Sequence, residues 1–134
     1  NLENNIKQQI SIPKVDENKI IGSGSTKGIP EIHKDNIMKC LKTHTQRVFI
    51  GSAGIEAMML AKNEIQFIFH GRVTPWDHSP LSLIVKEAGG FVYMARDKKP
   101  FSIKSEGPIL AASNLNIWNK IRNITIPIDS SYRI

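Results

Sequence analysis

Short apolar runs alternate with segments of helical period along this chain, and that order of elements restricts the fold more than any single motif. Lys19-Ile20-Ile21 breaks at a glycine-rich stretch, and after Pro30 a helical pattern follows with Ile32, Ile37, Met38 and Leu41. Val48-Phe49-Ile50 reads as a second strand, stopped by Gly51. The next stretch, "SAGIEAMMLAKN", predicts a helix with Ser52 as N-cap and Asn63 as stop, in which Ala53, Ala57, Met58 and Ala61 allow close approach to a sheet. Ile65 to Phe69 carries apolar residues on both alternating faces, the pattern of a strand covered on both sides. Leu81, Ile84, Val85 and Ala88 form an inward helical stripe that Gly89 and Gly90 end. Phe91 to Met94 and Ile109 to Ala112 are two further strands, and the second leads into a helix from Asn114 to Ile121. Strands alternating with helices predict an α/β fold with a mostly parallel sheet flanked by helices.

A chain of 134 residues suits one ordinary domain. No apolar run approaches the ~18 residues of a membrane span. The formal charge of +6 is spread along the chain and not clustered, so neither a nucleic-acid nor a membrane partner is expected. Lone Cys40, flanked by Ile37 and Leu41, rules out an intrachain disulfide, suggests a reducing, cytoplasmic location and reads as a buried helix residue. Residues 1–18 are polar, an irregular segment or edge strand; residues 19–122 form the α/β unit; residues 123–134 pack as a covering strand along it. The chain begins at Asn1 without a secretory pattern, and sequence upstream of it is expected.

Two loops carry candidate chemistry. Gly22 to Gly28 lacks the glycine-lysine-serine order of a nucleotide P-loop and a third glycine for a dinucleotide fingerprint, which leaves a plain turn or a ligand-facing loop. Asp77 stands in the first turn of its helix, where unpaired backbone N–H groups favour a carboxylate by about 0.5 to 2 kcal/mol, so a capping role alone accounts for it. The same position lies beyond the C-terminal end of a strand, where ligand crevices form, and Gly51-Ser52-Ala53 opens another helix at a similar level. Trp76 and Trp118 fit core packing, and His78, beside Asp77, reads as an exposed first-turn residue and not a ligand of a hard cation.

Over roughly residues 19 to 122 the sequence resembles the inositol monophosphatase family of magnesium-dependent, lithium-sensitive phosphomonoesterases. The stretches "GSAGIEAMMLA", "PWDHSPLSLIVKEAGG" and "ILAASN" carry the likeness, in this order and spacing. It implies that Asp77 is both a catalytic residue and a Mg2+ ligand, and that Gly51, Ser52 and Ala53 line the sugar or inositol side of the pocket. Where many members carry a substrate-binding glutamate, seven residues before the aspartate, this chain has His70, either a strand-end residue or a replacement contact for a more anionic substrate, with Arg72 adding charge.

The resemblance covers the C-terminal half of that fold. A cation cluster for phosphate-monoester hydrolysis takes several oxygen ligands, and the family's upstream glutamate pair and Asp-Pro-Ile/Leu-Asp-Gly-Thr motif have no counterpart among the twelve acidic residues. The implied partners are a small phosphorylated sugar or inositol substrate, a missing N-terminal half or partner chain, and a second copy in a homodimer. Alone, the chain is expected to be inactive. A non-catalytic remnant or interaction module is the alternative class. Within the superfamily, "GSGST" resembles the turn of the 3'-phosphoadenosine nucleotide phosphatases.

Overall fold

The computed structural model describes residues 19–134; residues 1–18, read above as irregular or an edge strand, lie outside the described residues. Among the described residues the order is β1 (Ile20–Ser25), α1 (Glu31–His44), β2 (Thr45–Val48), α2 (Ala53–Ala61), β3 (Phe67–His70), α3 (Pro75–Glu87), β4 (Phe91–Met94), β5 (Ile109–Ala112) and α4 (Leu115–Thr125). The five strands form one sheet in the order β2-β1-β3-β5-β4. β1 pairs in parallel with β2 and β3, while β5 runs antiparallel between β3 and β4. Four strands therefore run one way, and the α/β expectation of a mostly parallel sheet flanked by helices holds with one reversed strand.

Alternation along the strands divides the core into two layers. Ile68, Ile109, Ala111 and Val92 face Ala57, Met59 and Leu60 of α2 and Leu81 and Val85 of α3. Phe67, Phe69, Leu110 and Ala112 face Ile37 and Leu41 of α1 and Trp118 and Ile121 of α4. Each fully buried large side chain contributes about 1.5–3 kcal/mol of transfer free energy. Trp118 also donates its indole N–H to the Leu110 carbonyl at 2.7 Å, so its polar atom is satisfied inside the core.

Several elements depart from the sequence expectation. β1 does not break at Gly22 but continues to Ser25. The glycine is what permits this: a Cβ at residue 22 would lie 2.2 Å from the Phe67 ring, so the bare backbone lets the neighbouring aromatic fill the layer. The second strand comes three residues early, because α1 ends at His44 and Thr45 both starts β2 and hydrogen-bonds the Leu41 carbonyl at 2.6 Å. Phe49, expected inside that strand, is 89% exposed. On α2 the inward residues include Met59 and Leu60, and Met58 is exposed. Cys40 is half-buried rather than buried. Trp76, expected in the core, is 75% exposed because it occupies the outward side of the first turn of α3.

Beyond Thr125 the chain runs in turns rather than as a strand. Ile126 is buried, whereas Ile128 is exposed. The segment is held by Tyr132, whose ring stacks on His33 at 4.7 Å and lies under the Arg96 guanidinium at 4.3 Å. Among the described residues no helix is long and apolar enough to cross a membrane.

Candidate functional site

Parallel pairing sets the position of the site. Register brings Ser25 of β1 beside His70 of β3, so both strands end at the same level. The loops that leave them touch: a Cβ at Gly71 would lie 2.5 Å from the Lys27 carbonyl. Beyond these ends opens a cleft of about 480 Å³, whose walls include Ser23, Ser25, Lys27, Gly51, Ser52, Ala53, His70, Arg72 and Asp77. The structure thus gathers Gly51, Ser52, Ala53, His70 and Asp77 around one concavity, and the glycine-rich stretch faces it through Ser23, Gly24, Ser25 and Lys27.

Two helices start at this cleft. Ser52 caps α2, its hydroxyl accepting the Ile55 N–H at 3.3 Å. Thr74, not Asp77, is the N-cap of α3. Asp77 is the third helical residue; its Oδ2 accepts the Thr74 hydroxyl at 2.9 Å, and Oδ1 has no protein hydrogen-bond partner among the described residues. The Asp77 carboxylate is exposed at the positive end of the α3 dipole, which favours negative charge there. Lys27 and Arg72 add positive charge to the wall, and among the described residues no carboxylate pairs with either.

Part of the same wall is a hydrogen-bond chain that sequence reasoning did not identify. Glu56 of α2 is buried, and its Oε2 is 2.6 Å from His70 Nε2. His70 Nδ1 is 2.8 Å from His78 Nε2, and His78 Nδ1 receives the Thr74 backbone N–H at 2.9 Å. His78 is only 4% exposed, against the expectation of an exposed residue, because it turns inward to these partners. Burial lowers its pKa below the ordinary histidine value, and the nearby His70 lowers it further, against smaller opposing effects of Thr74, Asp77 and Glu56. The sequence signal for Glu56 was an acid one turn past the Ser52 cap in an otherwise apolar helix. His78 carried no such signal, since its inward turn depends on where β3 ends.

A sequence profile of the inositol monophosphatase family matches residues 4–125. The chain belongs to the inositol monophosphatase family. No curated protein sequence matches it. Among solved structures it is similar to inositol monophosphatase II from Staphylococcus aureus MSSA476, with 18% identity over 90% of this chain and 46% of that one and a TM-score of 0.72. It is also similar to SaIMPase-II with inositol monophosphate bound (19% identity, 85% and 44% covered, TM-score 0.69). A Thermotoga maritima IMPase gives 24% identity, 84% and 44% covered, and a TM-score of 0.65. The chain thus spans less than half the length of these inositol monophosphatases, and the likeness establishes the fold.

The donor set of this family member fits a hard cation only in part. Asp77 offers a free carboxylate oxygen, but Glu56, the other acid lining the cleft, is engaged with His70. Among the described residues no group of three or more histidine, cysteine, aspartate or glutamate side chains could hold a metal ion. Magnesium takes near-octahedral oxygen coordination, and one free carboxylate is fewer donors than such an ion needs.

Proposed function

We propose that this chain is the C-terminal part of a magnesium-dependent inositol or sugar phosphate monoesterase. The supporting observation is the convergence of two helix starts on one cleft, with Asp77 on α3 facing the Gly51-Ser52-Ala53 turn of α2. In this reading residues 19–122 are the half-domain, residues 123–134 cover it, and a missing N-terminal half or partner chain completes the site in a cytoplasmic enzyme, possible also as a homodimer. Asp77 is the metal ligand; Gly51, Ser52 and Ala53 present backbone N–H groups and a hydroxyl to the substrate. Magnesium, when bound, supplies charge neutralisation of phosphoryl oxygens and activation of water.

The cationic wall favours a ligand with more than one anionic group. Lys27 and Arg72 carry no carboxylate partner among the described residues, and Ser23 and Ser25 stand beside Lys27, an arrangement compatible with a 3'-phosphoadenosine-type nucleotide. A panel of phosphomonoesters assayed with the completed enzyme separates the substrates. Faster turnover of nucleotide bisphosphate than of inositol monophosphate supports the nucleotide reading, and the reverse order refutes it.

The alternative is a non-catalytic remnant or interaction module. What favours it is the exposed apolar set beside the cleft: Phe49 and Trp76, with Ile55 and Met58 on α2. Coding sequence upstream that contains the family's acidic motif favours the enzyme; its absence, together with no partner chain that carries the motif, favours the module.

A further inference from the structure

The chain Glu56–His70–His78–Thr74 has a definite proton direction. A backbone N–H can only donate, so the Thr74 N–H at 2.9 Å requires a bare Nδ1 on His78. Neutral His78 then carries its proton on Nε2, which faces His70 Nδ1 at 2.8 Å. His70 Nδ1 must accept, so His70 in turn carries its proton on Nε2 and donates it to the Glu56 carboxylate at 2.6 Å. The opposite orientation would put a proton on His78 Nδ1, aim it at the Thr74 carbonyl at 3.1 Å, and strip the Thr74 N–H of its acceptor. The two imidazoles meet edge to face, at 82°, as fixed rings in a chain and not as a stacked pair.

We infer that Glu56 and His78 are positioning residues that lock His70 in one tautomer, occupy both of its ring nitrogens and tie the start of α3 to α2. Three elements meet in this one chain: Glu56 on α2, His70 at the end of β3, and Thr74, His78 and Asp77 at the start of α3. Thr74 is the joint. Its backbone N–H holds His78, and its hydroxyl holds Asp77 Oδ2 at 2.9 Å. The spacing between the Asp77 carboxylate and the Ser52 turn is therefore set by polar contacts within the cleft wall as well as by packing. With both nitrogens taken, His70 shapes the wall and leaves ligand hydrogen bonds to Lys27, Arg72 and Ser52. The bearing of this device on catalysis rests on the phosphatase reading; the proton arrangement does not.

The test is long-range proton–nitrogen NMR of the full chain labelled with ¹⁵N, at about pH 8, above the ordinary histidine pKa. The expected result is that His70 and His78 both carry the proton on Nε2. Glu56→Gln, whose amide oxygen can still accept, keeps that pattern; Glu56→Leu keeps it too, since His78 still donates to His70 Nδ1, but shifts the His70 Nε2 resonance, whereas Glu56→Leu combined with His78→Phe releases His70 into a tautomer mixture and shifts the Thr74 amide resonance. A proton on His78 Nδ1 in the unaltered protein overturns the inference, and so does a folded Glu56→Leu/His78→Phe protein with unchanged His70 and Thr74 signals. If the double variant does not fold, the Thr74 amide shift in His78→Phe and the spectrum of the unaltered protein decide in the same way. In a completed, active enzyme, Glu56→Leu lowers kcat/KM by about 10–100-fold, as loss of a partner behind a site residue does. The expected histidine spectra without any phosphatase activity would refute the function and leave the positioning chain standing; activity with freely exchanging tautomers would do the reverse.

Discussion

His70 Nε2 lies 2.6 Å from Glu56 Oε2, a contact between the end of β3 and the first turn of α2. The pair is largely shielded, with 15% and 5% of the two side chains exposed, so removing the acceptor strands a nearly buried N–H. Glu56→Leu is expected to lower unfolding stability by about 1–3 kcal/mol, and Glu56→Gln by less. Urea denaturation of both variants measures this, and equal losses would show that the contact is held by shape rather than by hydrogen bonding.

Stability should fall on mild acidification. His78 has a pKa in the folded protein below its ordinary 6.5, with burial the main cause. The unfolded chain therefore binds this proton more readily than the folded one, so its contribution is fully present above 6.5 and is lost as pH falls from 6.5 through the lowered folded value. His78→Gln removes that part of the pH dependence. Between about pH 8 and pH 5 the thermal midpoint should fall less steeply for His78→Gln than for the unaltered chain, and equal slopes would show that another group is responsible.

Two glycines test the strand assignment in opposite directions. Gly22→Ala places a methyl 2.2 Å from the Phe67 ring and is expected to cost about 1–3 kcal/mol through overpacking. Gly54→Ala, in α2, meets only the Ser52 hydroxyl at 4.0 Å and should gain about 0.5–1 kcal/mol from helix propensity. Opposite shifts of the thermal midpoint are the expected readout; a neutral Gly22→Ala would mean that β1 does not lie against Phe67.

The two tryptophans separate core from surface. Trp118 is fully buried and hydrogen-bonded to Leu110, so Trp118→Ala should cost about 3–5 kcal/mol. Trp76→Ala, at an exposed position, should stay within about 0.5 kcal/mol. Large destabilisation by Trp76→Ala in the isolated chain would place that ring in a packed environment.

How far the sequence was legible follows from which contacts are local. Phe91–Met94 and Ile109–Ala112 were readable because their β-rich runs are bounded by turn residues, and Ser52 because a helix cap is decided within three residues. The reversal of β5 was not readable, since antiparallel and parallel buried strands carry the same apolar run. Nor was the extension of β1 through Gly22, which depends on Phe67, a residue of another strand, filling the space above it. At the cleft, Asp77 and Ser52 stood out by type and place, and His70 only through the family resemblance. Glu56 and His78 did not, because their polarity is satisfied only once α2, β3 and α3 are packed together.

The central claim is that this polypeptide contributes one metal-binding carboxylate, Asp77, to a phosphatase site that other residues complete. The most direct measurement is phosphomonoester hydrolysis by the purified chain over a magnesium titration. The account predicts no turnover above the protein-free rate; magnesium-dependent turnover that Asp77→Asn abolishes would contradict it.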